Sequence, residues 1–179
     1  MKQQMDDYKA YIKSLAISDK NVVFYNSSSE HAAFVMGTMF ENGHSVNLYC
    51  GGFSGDISEK KDYQKGLEIF LRKGGTLNIL MQKEKVDKHQ QRPEILNILA
   101  YWSQLRPGKI NIKTHSWRIN RGGREIHFMV SDDKMYRIEE DIEKFTAVGN
   151  FYDPVTAKLL NEKFNEIFED TNSVTYDFN

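Results

Sequence analysis

The stretch GREIHFMVSDDKMYRIEED, residues 123–141, gathers His127, the adjacent pair Asp132 and Asp133, Lys134, Arg137 and Glu139 in a run that reads as two strands joined by a tight turn. A histidine can act as nucleophile or proton carrier, a carboxylate can orient it, and lysine or arginine can hold an anionic oxygen. The chemistry open to such a set is phosphoryl transfer or, if the set is incomplete, anion binding. Arg137 and Glu139 alternate with Tyr136 and Ile138, so they share one face of their strand, as an ion pair or as a solvated surface. Asn150, in TAVGN, supplies an amide at the end of the next strand-like run.

Other candidates lie where loops meet predicted helices and strands. Ser27, in NSSSEH, stands at a predicted helix N-terminus, where backbone N–H groups could meet an anion or the serine could serve only as a cap. His31 follows the same signature, and His115 ends KINIKTH beside Trp117 and Arg118. Arg118, Arg121 and Arg124, interleaved with Trp117 and Ile119, are the leading candidates for contact with phosphate or nucleic acid. No Cys/His pairing with zinc spacing, G-x-G-x-x-G or Walker motif occurs, so neither metal nor cofactor is expected.

The elements that must position these residues follow from periodicity. Residues 5–17 carry apolar side chains at helical spacing. NVVFYN reads as a buried strand, and SSSE as a capping box in which Ser27 caps the helix and Glu30 answers it. SVNLYC is a second strand, and GGFSG a glycine turn. A helix over 60–73 stops at KGG, TLNILM is a third strand, and QKEKVDKHQQ is a polar loop. A helix opened by Pro93 then leads to KINIKTH, the fourth strand. Four strand-helix units predict an α/β domain with a mostly parallel sheet covered by helices on both faces. A β-hairpin follows in the C-terminal half, with Gly122-Gly123 and Asp132-Asp133 as turn pairs. The strand KFTAVGNF and a helix capped by Asp153 with Pro154 in its first turn complete the order. The chain reads as one domain over 1–179, with an N-terminal helix in 1–20 and a weakly docked tail over 171–179.

Four strand-helix units, a histidine-bearing hairpin, a strand ending in Gly149-Asn150 and a closing helix together resemble one repeat of the phospholipase D superfamily, from about Asn21 to Asp170. The resemblance implies His-x-Lys, four further residues and then Asp on the hairpin, with Gly-Ser-x-Asn on the following strand. It also implies a histidine that attacks phosphorus while lysine and asparagine hold the phosphoryl oxygens. With His127 as nucleophile, Met129 stands at the lysine position and Lys134 at the aspartate position. With Asp132 as the motif aspartate, the nucleophile position falls on Glu125. The motif is broken in either register, and Asn150 is the surviving match. The reading is a binding or interaction module rather than an enzyme. The alternative is a metal-independent phosphodiesterase or nuclease with His127 working in a homodimer and Arg137 or Lys134 replacing the lysine.

Composition bounds the partners. The 179 residues carry a net charge of -1, with 40% hydrophobic and 27% charged residues, and no apolar run approaches a membrane span of roughly 20 residues. The near-neutral total hides a segregation: residues 83–124 carry 10 basic and 3 acidic side chains, and residues 125–179 carry 5 basic and 13 acidic. A basic middle segment can attract phosphate locally. The expected ligand is phosphate-bearing, a nucleic acid or nucleotide, with a protein partner as the other option and a homodimer as the expected assembly. The N-terminal stretch lacks a secretory pattern, and the single cysteine, Cys50, suits a reducing cytoplasm, the expected location.

Overall fold

The computed structural model describes residues 2–53, 55–86 and 93–178. In chain order the elements are α1 (Lys2–Ala16), β1 (Val23–Ser27), α2 (Ser29–Asn42), β2 (Ser45–Cys50), α3 (Lys61–Arg72), β3 (Thr76–Gln82), α4 (Lys83–Val86), α5 (Glu94–Leu105), β4 (Ile110–His115), β5 (Asn120–Arg121), β6 (Arg124–Glu125), β7 (His127–Ser131), β8 (Met135–Asp141), β9 (Thr146–Asn150), α6 (Pro154–Phe168) and β10 (Val174–Thr175). Within the polar loop expected after β3 stands the short helix α4, and the rest of that stretch, 87–91, lies outside the described residues.

Eight strands form one sheet in the order β1-β9-β8-β7-β2-β3-β4-β10. Only β2–β3 and β3–β4 are parallel, and every other pairing is antiparallel. The mostly parallel sheet predicted from the sequence is therefore corrected to a mixed, largely antiparallel one. Periodicity identifies a strand without naming its neighbour: β1 does not join β2, because β7, β8 and β9 insert between them. β1 alternates exposed and buried residues, as an antiparallel edge strand does.

Helices cover both faces. On one, Ile12, Phe40, Leu67, Phe70 and Leu99 from α1, α2, α3 and α5 pack against Leu48, Ile79, Ile112 and Met129. On the other, Phe164, Ile167 and Phe168 of α6 pack against Tyr49, Leu80, Phe128 and Ile138. Helices α2 and α3 cross closely, since a Cβ at Gly66 would run into the Gly37 carbonyl. The capping box is also corrected. Ser27 remains a paired strand residue opposite Thr146, so the cap moves to Ser28, whose Oγ accepts from His31 N (3.1 Å), while Glu30 accepts from Lys60 (2.8 Å). At α6, Asp153 caps Thr156 N (3.1 Å) with Pro154 in the first turn, as the sequence predicts. Among the described residues no helix is long and apolar enough to cross a membrane.

Candidate functional site

The two aspartates of the hairpin are turn residues. Asp132 and Asp133 both hold positive φ, 53° and 51°, in the three-residue loop 132–134 between the paired Ser131 and Met135. Asp132 accepts from His44 N (2.9 Å) and Ser45 N (2.8 Å), which ties the turn to the start of β2. Neither carboxylate faces the histidine at the other end of β7.

Around His127 a polar chain crosses the sheet. Asn26 on β1 accepts from Arg137 Nε (3.0 Å), Arg137 Nη2 donates to Glu139 Oε1 (2.9 Å), and Glu139 Oε2 lies 3.3 Å from His127 Nδ1. His127 Nε2 stands 3.4 Å from Glu125 Oε1, without hydrogen-bond alignment. Glu125 in turn accepts from Gln82, with Lys85 Nζ at 3.5 Å and Arg118 Nη1 at 3.6 Å. Arg137 and Glu139 are 3% and 5% exposed, so each charge depends on the other for compensation. Burial pushes the Glu139 carboxyl upward, but the His127 contact and the Arg137 guanidinium outweigh it and hold the carboxyl below its ordinary value. Glu125 follows the same pattern: desolvation is more than offset by Gln82 and Lys85. The carboxylates flank opposite nitrogens of one imidazole and do not converge on a point. Among the described residues no group of three or more His, Cys, Asp or Glu is placed to hold a metal.

The chain borders a cavity of about 190 Å³ at the carboxyl ends of β2 and β8. Its polar end is made by Lys85, His127, Arg137 and Glu139, and its body by Met36, Leu48, Phe53, Ile57, Tyr63 and Phe128. The glycine turn after β2 forms one wall. Gly51 has to be glycine for Lys85 and His127 to lie where they do, because a Cβ there would stand 2.7 Å from Lys85 Cδ and 3.2 Å from His127 Cε1. Cys50 also lines the cavity, and burial pushes its thiol up to about 12. Ser58, 4% exposed, also lines it, with its Oγ buried and without a hydrogen-bond partner.

Of the residues singled out in the sequence, the structure brings His127, Arg137 and Glu139 together, with Arg118 joined through Glu125. Asn150 is not among them. It pairs with Tyr136 across β8–β9 and so faces α6, whereas His127 pairs with Glu139 on the opposite face. Asn150 is 0% exposed, donating to Asn21 (2.7 Å) and accepting from Tyr152 N (2.9 Å). His115 also lies on the α6 side of the sheet, where its Nδ1 accepts from Trp117 N (2.8 Å). His31 stacks on Tyr8, with ring centroids 4.0 Å apart. Ser27 is exposed at the sheet edge. Arg121 and Arg124 are exposed on the β5–β6 ribbon, with Arg121 3.5 Å from Glu140. Sequence reasoning missed Asn26, Ser58, Gln82 and Lys85 as members of the site, and met Glu125 only as a position of the broken motif. The available signal was the convergence of GGFSG and QKEK beyond the ends of β2 and β3.

The sequence matches no protein-family profile and no curated protein. Solved structures are more informative. TrmBL2, an archaeal chromatin protein whose structure shows a novel mode of DNA binding, superposes with a TM-score of 0.59 at 18% identity, over 98% of this chain and 62% of its own. The phosphatidylserine synthase of Haemophilus influenzae Rd KW20 superposes with a TM-score of 0.58 at 13% identity, over 98% of this chain and 47% of its own. The chain thus spans less than two thirds of the length of either. At these identities the likeness is one of fold, an α/β domain with a mixed sheet consistent with phospholipase D-like architecture.

Proposed function

We propose that this chain is a non-catalytic domain of phospholipase D-like fold that binds a ligand in the cavity beside His127. One observation carries the reading. Met129, where the resemblance implies a phosphoryl-holding lysine, is 0% exposed in the core, and Asn150 faces away on the other side of the sheet. An imidazole flanked by two carboxylates would also repel the anionic phosphodiester it should attack. Phosphoryl transfer rests on positive charge placed around the equatorial oxygens, and here Arg137 is committed to Glu139 and Asn26. The expected outcome is no metal-independent cleavage of bis(p-nitrophenyl) phosphate above background. Cleavage by the wild type that His127→Ala abolishes would overturn the reading in favour of a phosphodiesterase.

A second reading is nucleic-acid binding on the exposed surface of Trp117, Arg118, Arg121 and Arg124. It is favoured by the exposure of these residues and by the DNA binding of the structural neighbour TrmBL2. Arg118 is engaged by Glu84 (2.8 Å) and Arg121 by Glu140, so phosphates would have to displace carboxylates. A labelled oligonucleotide titrated across a salt series tests it. Binding that weakens steeply with salt and is lost when all three arginines are changed to alanine supports this reading.

A further inference from the structure

One residue that lines the cavity is held in a backbone conformation its side chain makes costly. Among the described residues Asp19, Asp132 and Asp133 have positive φ, and aspartate tolerates the left-handed region. Phe145, in the loop between β8 and β9, joins them at φ 54°. A bulky side chain there crowds its own backbone, and glycine or asparagine would hold the same turn with less strain.

Core packing does not account for the choice. Phe145 and its loop neighbour Ile142 are half-buried and line the cavity, yet among the described residues neither packs against either core cluster. What fixes the loop is polar. Asp141 accepts from Lys144 N (3.1 Å), and Asn26 donates to the Phe145 carbonyl (2.7 Å) while accepting from Arg137 Nε (3.0 Å). Both ends of the Asn26 amide are engaged, so the charged row that crosses the sheet holds Phe145 at the cavity. A strained bulky residue that core packing does not explain is a mark of a ligand clamp.

Lining, charge and size narrow what the clamp can hold. With Phe145 and Ile142, the side chains of Leu48, Phe53, Ile57 and Phe128 make the wall mostly apolar. The cations beside it are already matched, Arg137 by Glu139 (2.9 Å) and Lys85 by Glu125 (3.5 Å), so an anion would have to displace a carboxylate. A volume of about 190 Å³ compares with the apolar cavity of roughly 150 Å³ in another protein that takes up benzene. It therefore has room for about one ring.

Resting on the reading that this cavity is a binding site, we infer that Phe145 is its specificity-determining residue, a ring held against the ligand, and that the ligand is an uncharged apolar molecule the size of one ring. Benzene and phenyl phosphate share the ring and differ in charge. They are titrated into the full chain, with the amide resonances of Gly51, Gly52 and Ile142 followed by NMR. Benzene is expected to shift those resonances, and phenyl phosphate to leave them unmoved. Phe145→Ala and Phe145→Gly both remove the ring, and each should weaken benzene binding about three- to tenfold, the size of one ring–ring contact. The two variants differ only in the Cβ. Glycine relieves the strain and alanine keeps it, so Phe145→Gly should unfold about 2–4 °C above Phe145→Ala, the reverse of the order at an unstrained position. Variants that bind benzene as the wild type does, or an alanine variant as stable as the glycine one, overturn the role of Phe145 and leave the cavity standing as a site. Phenyl phosphate binding more tightly than benzene overturns the ligand class. Neither probe binding overturns the reading of the cavity as a binding site, and the inference with it.

Discussion

Each face of the one sheet carries a row of hydrogen-bonded polar side chains, half-buried on the α6 face, and the two rows are built on different rules. On the α6 face the row is neutral amides: Asn111 donates to Asn78, Asn78 to Asn47, and Asn47 to Asn161, each at 2.9 Å, and Asn161 donates to Asp133. Each donor in the chain finds the next oxygen, and the row locks β2, β3 and β4 to α6 and the hairpin turn. On the opposite face the row Asn26, Arg137, Glu139, His127, Glu125 is charged and ends beside a cavity with an unmade bond at His127 Nε2. The first arrangement is what a structural network needs. The second keeps buried charge beside a hole, a combination that stability alone does not call for.

The comparison can be broken most forcefully at Glu139. Glu139→Ala leaves the Arg137 guanidinium buried with only Asn26 for company and removes the Nδ1 partner of His127, so the fold should lose about 3–5 kcal/mol in urea unfolding. Changing both members at once, Arg137→Met with Glu139→Leu, should recover part of that loss, because no uncompensated charge remains. A single variant that costs nothing would mean the row carries no buried charge. Asn78→Ala, in the neutral row, should cost less, about 0.5–1.5 kcal/mol, since its half-buried neighbours can turn to water and no charge is stranded.

The smallest effect sharpens the comparison through pH. Glu139 has its folded pKa held below the unfolded value. Its contribution is therefore fully present above the unfolded carboxyl range and is lost as pH falls through the lower folded value. Lowering pH from 7 toward 3 should destabilise the wild type and Asn78→Ala in parallel, displaced by a constant. Glu139→Ala should show a shallower acid decline, not a flat one, because Glu125 titrates with the same sign. Parallel declines in all three proteins would remove the charged row as a source of acid sensitivity.

Most of the elements were legible in the sequence because their signals are local. Pro154 after Asp153, the turn pair Asp132-Asp133 and the alternation of Arg137 and Glu139 against Tyr136 and Ile138 each fix a backbone conformation or a face within a few residues. Sheet order was not legible, because nothing in VFYNS says that it pairs with TAVGN rather than with SVNLYC. The same gap hid the site. Asn26 meets Arg137, and Gln82 meets Glu125, only once strand order is known, and Asn150 could be set beside His127 only while the face it occupies was unknown. The one-residue shift of the cap from Ser27 to Ser28 has the same origin, since the β1–β9 ladder holds Ser27 in the strand.

The pairing of Val23 with Asn150 has a consequence for how the chain comes off the ribosome. β1 is made well before β9, the strand it needs, with most of the other elements between them. At roughly 5–20 residues per second, β1 waits on the order of ten seconds for its partner to be synthesised. During that interval Phe24 and the apolar side of α2 have no completed sheet to cover them. Closing so long a loop late in the process should make docking of β1 a slow step, and a chain released before β9 should present an unpaired strand to chaperones, proteases and other nascent copies.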